Sequence, residues 1–394
     1  MIRITCLSVF ASIKIHEAHE ETRRSPLRVL RVLRGSNFYS WRCTLLILTL
    51  LIFLETACAT VGVPAAPPVA SRPPVTDLTL PLGYTADIVT DALHGPTQMI
   101  LGPDGRLWMA QLAGGENEGA GQVIALDLET GEIEVLLERL RKPTGIAILE
   151  NALWIASEHD LLRAKLDNDR PGTPQVVLRD LPYNGRSNGT LTPTPEGQLL
   201  YETSGLRQDN EAAPGSATLW LLDPADPTNP TPLATGLKNA YAHTVDDEGR
   251  LWITEIGDDG VNGQAPPEEL NLVIPAADFG WPPCYGFQEA ALNYAGTAAG
   301  CAQTRPPVVL FDPQTTPTSV VVSPWEEDAL LVALWGAGTV MRVTVLPSGD
   351  NATGQTEPFI TGLSNPQHLL PLPDNSLLLS DFGRNTLYRI YPPI

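Results

Sequence analysis

Six times along the chain a tight polar turn gives way to a leucine-led apolar run. The copies are PDGRLWMAQ (103–111), ENALWIASE (150–158), PEGQLLYETS (195–204), DEGRLWITE (247–255), EEDALLVALW (326–335) and PDNSLLLSD (373–381). Their leading residues, Leu107, Leu153, Leu199, Leu251, Leu330 and Leu377, are spaced by 46, 46, 52, 79 and 47 positions. Short apolar runs bounded by Gly, Pro, Asn and Asp predict strands rather than helices. The period is that of a four-stranded propeller blade, with one insertion in the fourth unit.

The rest of each unit supplies further strands. In the first, PTQMILGP, LWMAQ, QVIALDL and EIEVLLERL follow one another, and in the second PTGIAIL, ALWIASE, LLRAKLD and PQVVLRDL do. The sixth unit has only QHLLPLP, SLLLSDF and TLYRIY, so GYTADIVT (83–90), upstream of the first unit, is expected to complete it. The pattern therefore predicts an all-β fold, a six-bladed β-propeller closed by pairing of the N- and C-terminal strands. Closure removes the exposed edges that an open array would leave. Trp108, Trp154 and Trp252 share one repeat position and are expected to pack between blades.

Ahead of the repeats the pattern changes. TLLILTLLIFL (44–54) carries no charge and follows a basic stretch ending at Arg42. Eleven helical residues reach only about half of the hydrocarbon core, which suits a signal segment rather than a span. Two cleavage readings stay open. LETAC (54–58) resembles a lipobox that would leave Cys58 lipidated, although Glu55 stands where that motif has an apolar residue; Ala57-Cys58-Ala59 also fits small-x-small cleavage. The following VGVPAAPPVASRPPV is expected to act as a tether. The organisation expected is thus 1–59 signal or lipoprotein signal region, 60–77 proline-rich linker and 78–394 propeller. The protein is expected to be exported to a bacterial cell envelope, lipid-anchored or periplasmic to extracellular.

Composition sharpens this picture at two points. Of the 25 Lys and Arg, eight lie in residues 1–57 against four acids, which leaves 17 basic and 41 acidic residues beyond them and a net charge of -24. A body that acidic repels nucleic acid and anionic lipid, so no nucleic-acid partner is expected and membrane contact only through the N-terminal anchor. Beyond the export segment the chain has two cysteines, Cys284 and Cys301. In an oxidising compartment they are expected to form a disulfide, since no His or third Cys lies nearby to make a metal site.

Residues at the entry of each innermost strand face the channel of such a ring: Gln98, Thr144, Asn188, His243, Thr318 and His368. None is a carboxylate, which argues against the central divalent cation of a lactonase-type propeller.

The fourth unit carries PPEELNLVIPAADFGWPPCYG (266–286), then CAQTRPPVVL from Cys301, after GLKNAYAHTVDDEGRLWITE (236–255). These strings resemble the glucose/sorbosone dehydrogenase family, six-bladed quinoprotein propellers, soluble aldose sugar dehydrogenases among them, that oxidise sugars with pyrroloquinoline quinone (PQQ) and calcium. The resemblance covers roughly residues 78–392 and is strongest over 236–307. It implies that Lys238 and Asn239 meet the quinone carboxylates and that Glu268 and Glu269 supply calcium oxygens, with Asp258 and Asp259 nearby. The family's histidine base falls on Arg186 or Ser187, a further histidine motif reads Ala333-Leu334-Trp335-Gly336, and other family positions hold Gln314 and Asn365. His243 is the compensating candidate for the base, with His159 behind it.

The resemblance implies an enzyme passing hydride from a carbohydrate-like substrate to PQQ. The competing readings are a ligand- or partner-binding propeller that has lost the quinone site, and a streptogramin-lyase-like propeller suggested by PDGRLWMAQ. Quinone binding separates the first from both.

Overall fold

Each leucine-led run forms the second strand of a four-stranded antiparallel sheet. In the computed structural model, residues 75 and 77–393 are described, apart from 115–119, 186 and 187. The signal segment, Cys58 and nearly all of the linker lie outside the described residues, as do Arg186 and Ser187.

Blade one comprises Pro96–Leu101, Leu107–Gln111, Gly121–Leu126 and Ile133–Leu140, and blade two Pro143–Leu149, Ala152–Ser157, Asp160–Asp167 and Gln175–Leu178. Blade three pairs Thr192–Pro193, Leu199–Thr203, Thr218–Leu222 and Thr231–Thr235, with Ala277–Asp278 of the insertion added in parallel on its outer edge. Blade four holds Ala242–Val245, Leu251–Glu255, Glu268–Val273 and Val309–Phe311; blade five holds Pro317–Val322, Ala329–Leu334, Thr339–Ser348 and Asn351–Thr361. Blade six holds Pro366–Pro371, Leu377–Asp381 and Thr386–Tyr391, and its outer strand is Thr85–Thr90. Thr85 faces Tyr391 and Ile88 faces Tyr388, so the ring closes with the strand expected from the missing fourth member of unit six.

The apolar side chains explain why six sheets stack into a ring. Among the described residues the core divides into six clusters, each shared by two neighbouring blades: Trp252 and Leu272 of blade four meet Leu330 and Val332 of blade five, and Trp154 of blade two meets Leu199 and Tyr201 of blade three. The three repeat tryptophans are fully buried at these seams. A buried indole N–H needs an acceptor. Trp108 donates to Asp104 at 3.0 Å and Trp252 to Asp246 at 2.7 Å, the aspartates of the preceding polar turns, whereas Trp154 uses the Leu149 carbonyl at 3.3 Å. The turn aspartate and the tryptophan of the repeat thus form one unit.

Near the axis, threonine hydroxyls join the blades. Thr97 donates to Pro143 O at 2.9 Å, Thr254 to Pro317 O at 3.0 Å and Thr318 to Pro366 O at 3.0 Å. Gln98 ties three blades together, donating to Leu191 O at 2.8 Å and accepting from the amides of Ile146 and Leu191. The blade-four insertion packs as short strands and a helical turn, Ala298–Cys301, and the expected Cys284–Cys301 disulfide is present.

Candidate functional site

The inner strands open at one end of the axis into a cavity of about 330 Å³. Its floor is made by the strand entries Thr97, Thr144, Thr318 and Gln367, and its walls by residues just outside the strands: Lys142, Asn239, Tyr241, Trp335 and Phe382. Tyr241 and Gln367 close one side, since Gln367 Nε2 donates to the Tyr241 hydroxyl at 2.8 Å and so bridges blades four and six. Trp335 and Phe382 touch as a tilted pair, ring centroids 6.2 Å apart and planes at 57°. Thr144 Oγ1 is buried and has no hydrogen-bond partner. A buried hydroxyl left unpaired costs about 1–3 kcal/mol unless a water or ligand meets it.

A second centre lies beside this cavity, between blade three, blade four and the insertion. Glu202, Glu255, Glu268 and Glu269 are all buried there, with Lys238, Asn239 and Asn271. Glu202 accepts from the Asn239 amide and from Ala240 N–H at 3.0 Å. Glu255 accepts from the Lys238 backbone N–H at 2.6 Å, and Glu268 from Gly257 N–H. Glu269 accepts from Gly286 N–H at 2.8 Å and from Asn271 Nδ2 at 3.1 Å.

Burial raises the carboxyl pKa values in this cluster, because charge is disfavoured away from water. It pushes Glu202 up to about 8 against the pull of Ala240 N–H and the Lys238 charge. Glu255 is raised well above the ordinary range by burial and then by the Glu269 charge, and the two carboxyls are hydrogen-bonded to each other. Glu269 and Glu268 are also raised by burial, each held back by the N–H groups it accepts.

The structure thus brings Lys238, Asn239, Glu268 and Glu269 together, as the sequence led one to expect, but divides their roles. Asn239 lines the axial cavity while its amide is committed to Glu202. Lys238 lines instead a small void of about 20 Å³ with Glu255, Glu269 and Asp258, its ammonium donating to Gly257 O at 3.4 Å. Asp258 is engaged by Arg207 and by the Trp281 indole, both at 2.7 Å. His243 lines neither space. It lies on blade four's inner strand with Nδ1 2.8 Å from Thr192 Oγ1 of blade three, and burial lowers its pKa to about 3. His159 stands apart on blade two, 3.7 Å from Glu158.

Sequence reading passed over Glu202, Glu255, Lys142 and Phe382. One signal was present for Glu255: the last residue of each leucine-led strand is polar in five of the six blades, and Gln111, Glu255 and Asp381 each accept a backbone N–H from the loop entering their own blade. Trp335 and Phe382 share with Leu112 and Ile256 the position directly after the leucine-led strand, and all four line the cavity, a recurrence the repeats already contained; Lys142 lies just outside a strand with no such signal.

The two groups that the family resemblance implies fare differently against these residues. PQQ is a flat aromatic tricarboxylate, and the axial cavity meets that chemistry with two aromatic side chains in its wall, a lysine and an unpaired threonine hydroxyl. Calcium at Glu268 and Glu269 fits poorly. A calcium shell takes six to eight oxygens, whereas these carboxylates point at backbone N–H donors and at a hydrogen-bonded partner carboxyl. Among the described residues no group of three His, Cys, Asp or Glu is arranged to hold a metal ion.

Residues 225–379 match the family model for Glucose / Sorbosone dehydrogenase, so the resemblance seen in the sequence of blade four extends through blade five into blade six. No curated protein matches the chain. Solved structures share its fold. The PQQ domain of pyranose dehydrogenase from Coprinopsis cinerea is 17% identical, with a TM-score of 0.65 over 82% of this chain and 99% of that one. PQQ-bound aldose sugar dehydrogenase from Streptomyces coelicolor is 18% identical, with a TM-score of 0.62 over 79% and 99%. The soluble aldose sugar dehydrogenase of Escherichia coli in its apo form is 14% identical, with a TM-score of 0.60 over 78% and 99%.

Proposed function

From a propeller of the glucose/sorbosone dehydrogenase type we propose an exported sugar or aldose dehydrogenase that takes PQQ in the axial cavity. The observation that carries this reading is the cavity itself, about 330 Å³ with Trp335 and Phe382 as an aromatic wall, Lys142 beside it and Thr144 Oγ1 unpaired. Lys142 would meet a carboxylate of the quinone, the aromatic wall would pack against its ring, and Thr144 would gain the partner it lacks. Bound quinone supplies a two-electron acceptor for hydride from a sugar carbon. The chain's own part is to exclude water from that face and to hold the ring against the threonine floor. Export through the apolar segment, with Cys58 as the anchor and the proline-rich linker as the tether, belongs to the same proposal.

A second reading, a propeller that binds its ligand without turning it over, draws on one observation. Among the described residues lining the cavity there is no histidine and no carboxylate, and a histidine held near pKa 3 is a poor general base at neutral pH. Titration with PQQ, with and without calcium, followed by absorbance and thermal melting and then by dye reduction with aldoses, separates the two. Binding with dye reduction supports the dehydrogenase, and binding without it removes turnover from that reading. No spectral or thermal shift at saturating quinone would overturn the dehydrogenase in favour of the second reading, a binding propeller that has lost the quinone site.

A further inference from the structure

Four carboxyl groups are removed from water in the blade-four cluster: Glu202, Glu255, Glu268 and Glu269 are 1%, 6%, 4% and 8% exposed. Asn271 adds to this excess of acceptors. It is fully buried, spends its amide N–H groups on Glu255 and Glu269, and leaves Oδ1 without a partner. Buried carboxylates persist only when a proton, a cation or well-placed N–H donors meet them. N–H donors meet one or both oxygens of each, and Glu255 and Glu269 hydrogen-bond to each other through a proton.

Among the described residues lining this void, the cation is Lys238. Its side chain lines the void against Glu255 and Glu269, and it is 7% exposed. Its charge acts on Glu202, Glu255 and Glu268 alike, favouring the ionised form of each. It acts on all three without a close ion pair among the described residues, its ammonium donating to Gly257 O at 3.4 Å. An ammonium serving several carboxylates at once does what a bound metal ion does in an acidic site.

We propose that Lys238 is the built-in cation of this cluster, so that the domain needs no calcium at Glu268 and Glu269. Lys238 then has a structural task that keeps Asn239, two atoms of backbone away, at the wall of the axial cavity. The inference is independent of quinone binding, because its readout is the stability of the protein without cofactor.

The test compares thermal melting of the exported chain and of Lys238→Met and Lys238→Arg in EDTA and in millimolar calcium chloride. Wild type is expected to melt at the same temperature in both. Lys238→Met, which keeps the volume and loses the charge, should melt roughly 5–15 °C lower than wild type in EDTA, and calcium should restore little of that loss, because Glu268 and Glu269 are turned to Gly257 and Gly286 N–H. Lys238→Arg, which keeps the charge, should melt close to wild type in both conditions. If Lys238→Met is unfolded in EDTA, Lys238→Arg is the readout: a folded Lys238→Arg supports the proposal, and one that is unfolded as well overturns it. Saturable calcium stabilisation of wild type that is lost in Glu268→Gln or Glu269→Gln also overturns it, as does a Lys238→Met protein that melts with wild type.

Discussion

Thr192 Oγ1 donates to the carbonyl of His243 at 3.0 Å, and the same oxygen lies 2.8 Å from His243 Nδ1. The hydroxyl has one proton and has spent it, so Nδ1 carries the hydrogen and Nε2 is a bare acceptor. That Nε2 is buried without a partner. The imidazole is therefore held neutral and in one tautomer, outside the cavity lining.

The first prediction concerns the acid limb of stability. His243 and His368 both have their pKa lowered to about 3 by burial, from 6.5 when exposed. Between pH 6.5 and 3 the unfolded chain binds protons that the folded chain refuses, so stability falls as pH drops through that window, by up to about 1.4 kcal/mol per pH unit for each histidine. Urea unfolding across pH 4–7 should show this slope, and His243→Gln should remove about half of it. An unchanged slope in that variant would mean that His243 is solvated.

Glu202 acts in the opposite sense. Its folded pKa is raised to about 8 from 4.5, so the folded state holds a proton that the unfolded state releases, and stability falls as pH rises from about 4.5 to 8. Glu202→Gln keeps the shape and removes this dependence. The variant should gain on wild type as pH goes from 5 to 8, and parallel curves for the two proteins would contradict the assignment.

Quinone affinity should follow the cavity walls. Lys142→Ala is expected to weaken PQQ binding about tenfold or more and Trp335→Ala about two- to tenfold, since a charged hydrogen bond contributes roughly 1.5–3 kcal/mol and a ring contact about 0.5–1.5. His243→Ala should leave the affinity within about threefold. Fluorescence titration of the three variants checks the order, and a large loss only in His243→Ala would place the ring elsewhere.

The Cys284–Cys301 bridge closes a loop 17 residues apart in sequence. Replacing both by serine should cost about 3 kcal/mol, the entropy of opening a loop of that size. Denaturant melts of mature protein give the number, and thiol titration of unreduced, unfolded wild type should find neither cysteine free.

Removing residues 60–90 takes away Thr85–Thr90, the outer strand of blade six that pairs with Thr386–Tyr391. The open edge of that blade and the exposed seam around Ala86 and Tyr388 should abolish the cooperative melt. A truncated chain melting at the wild-type temperature would show that closure is dispensable.

Blade number, the order of strands, the strand completing blade six and the cysteine pair were all legible in the sequence. Each rests on a local rule repeated along the chain: a polar turn, a leucine, alternating burial, a period. The tryptophan seams were legible for the same reason, because one repeat position recurs at the same depth in Trp108, Trp154 and Trp252. The grouping of Lys238, Asn239, Glu268 and Glu269 was legible through the family strings of blade four. What those residues do to one another was not. Whether Lys238 turns to the quinone cavity or to the carboxylates, and whether Glu268 and Glu269 present oxygens to a metal or accept Gly257 and Gly286 N–H groups, depends on which loops pack over them. The same holds for Lys142 and Thr144 at the entry of blade two and for Trp335 and Phe382 of blades five and six, which meet across the axis only because the ring closes. Local pattern sets the period and hence the ring, whereas charge, burial and partners at the axis are set by contacts between residues far apart in the chain, which no window of sequence contains.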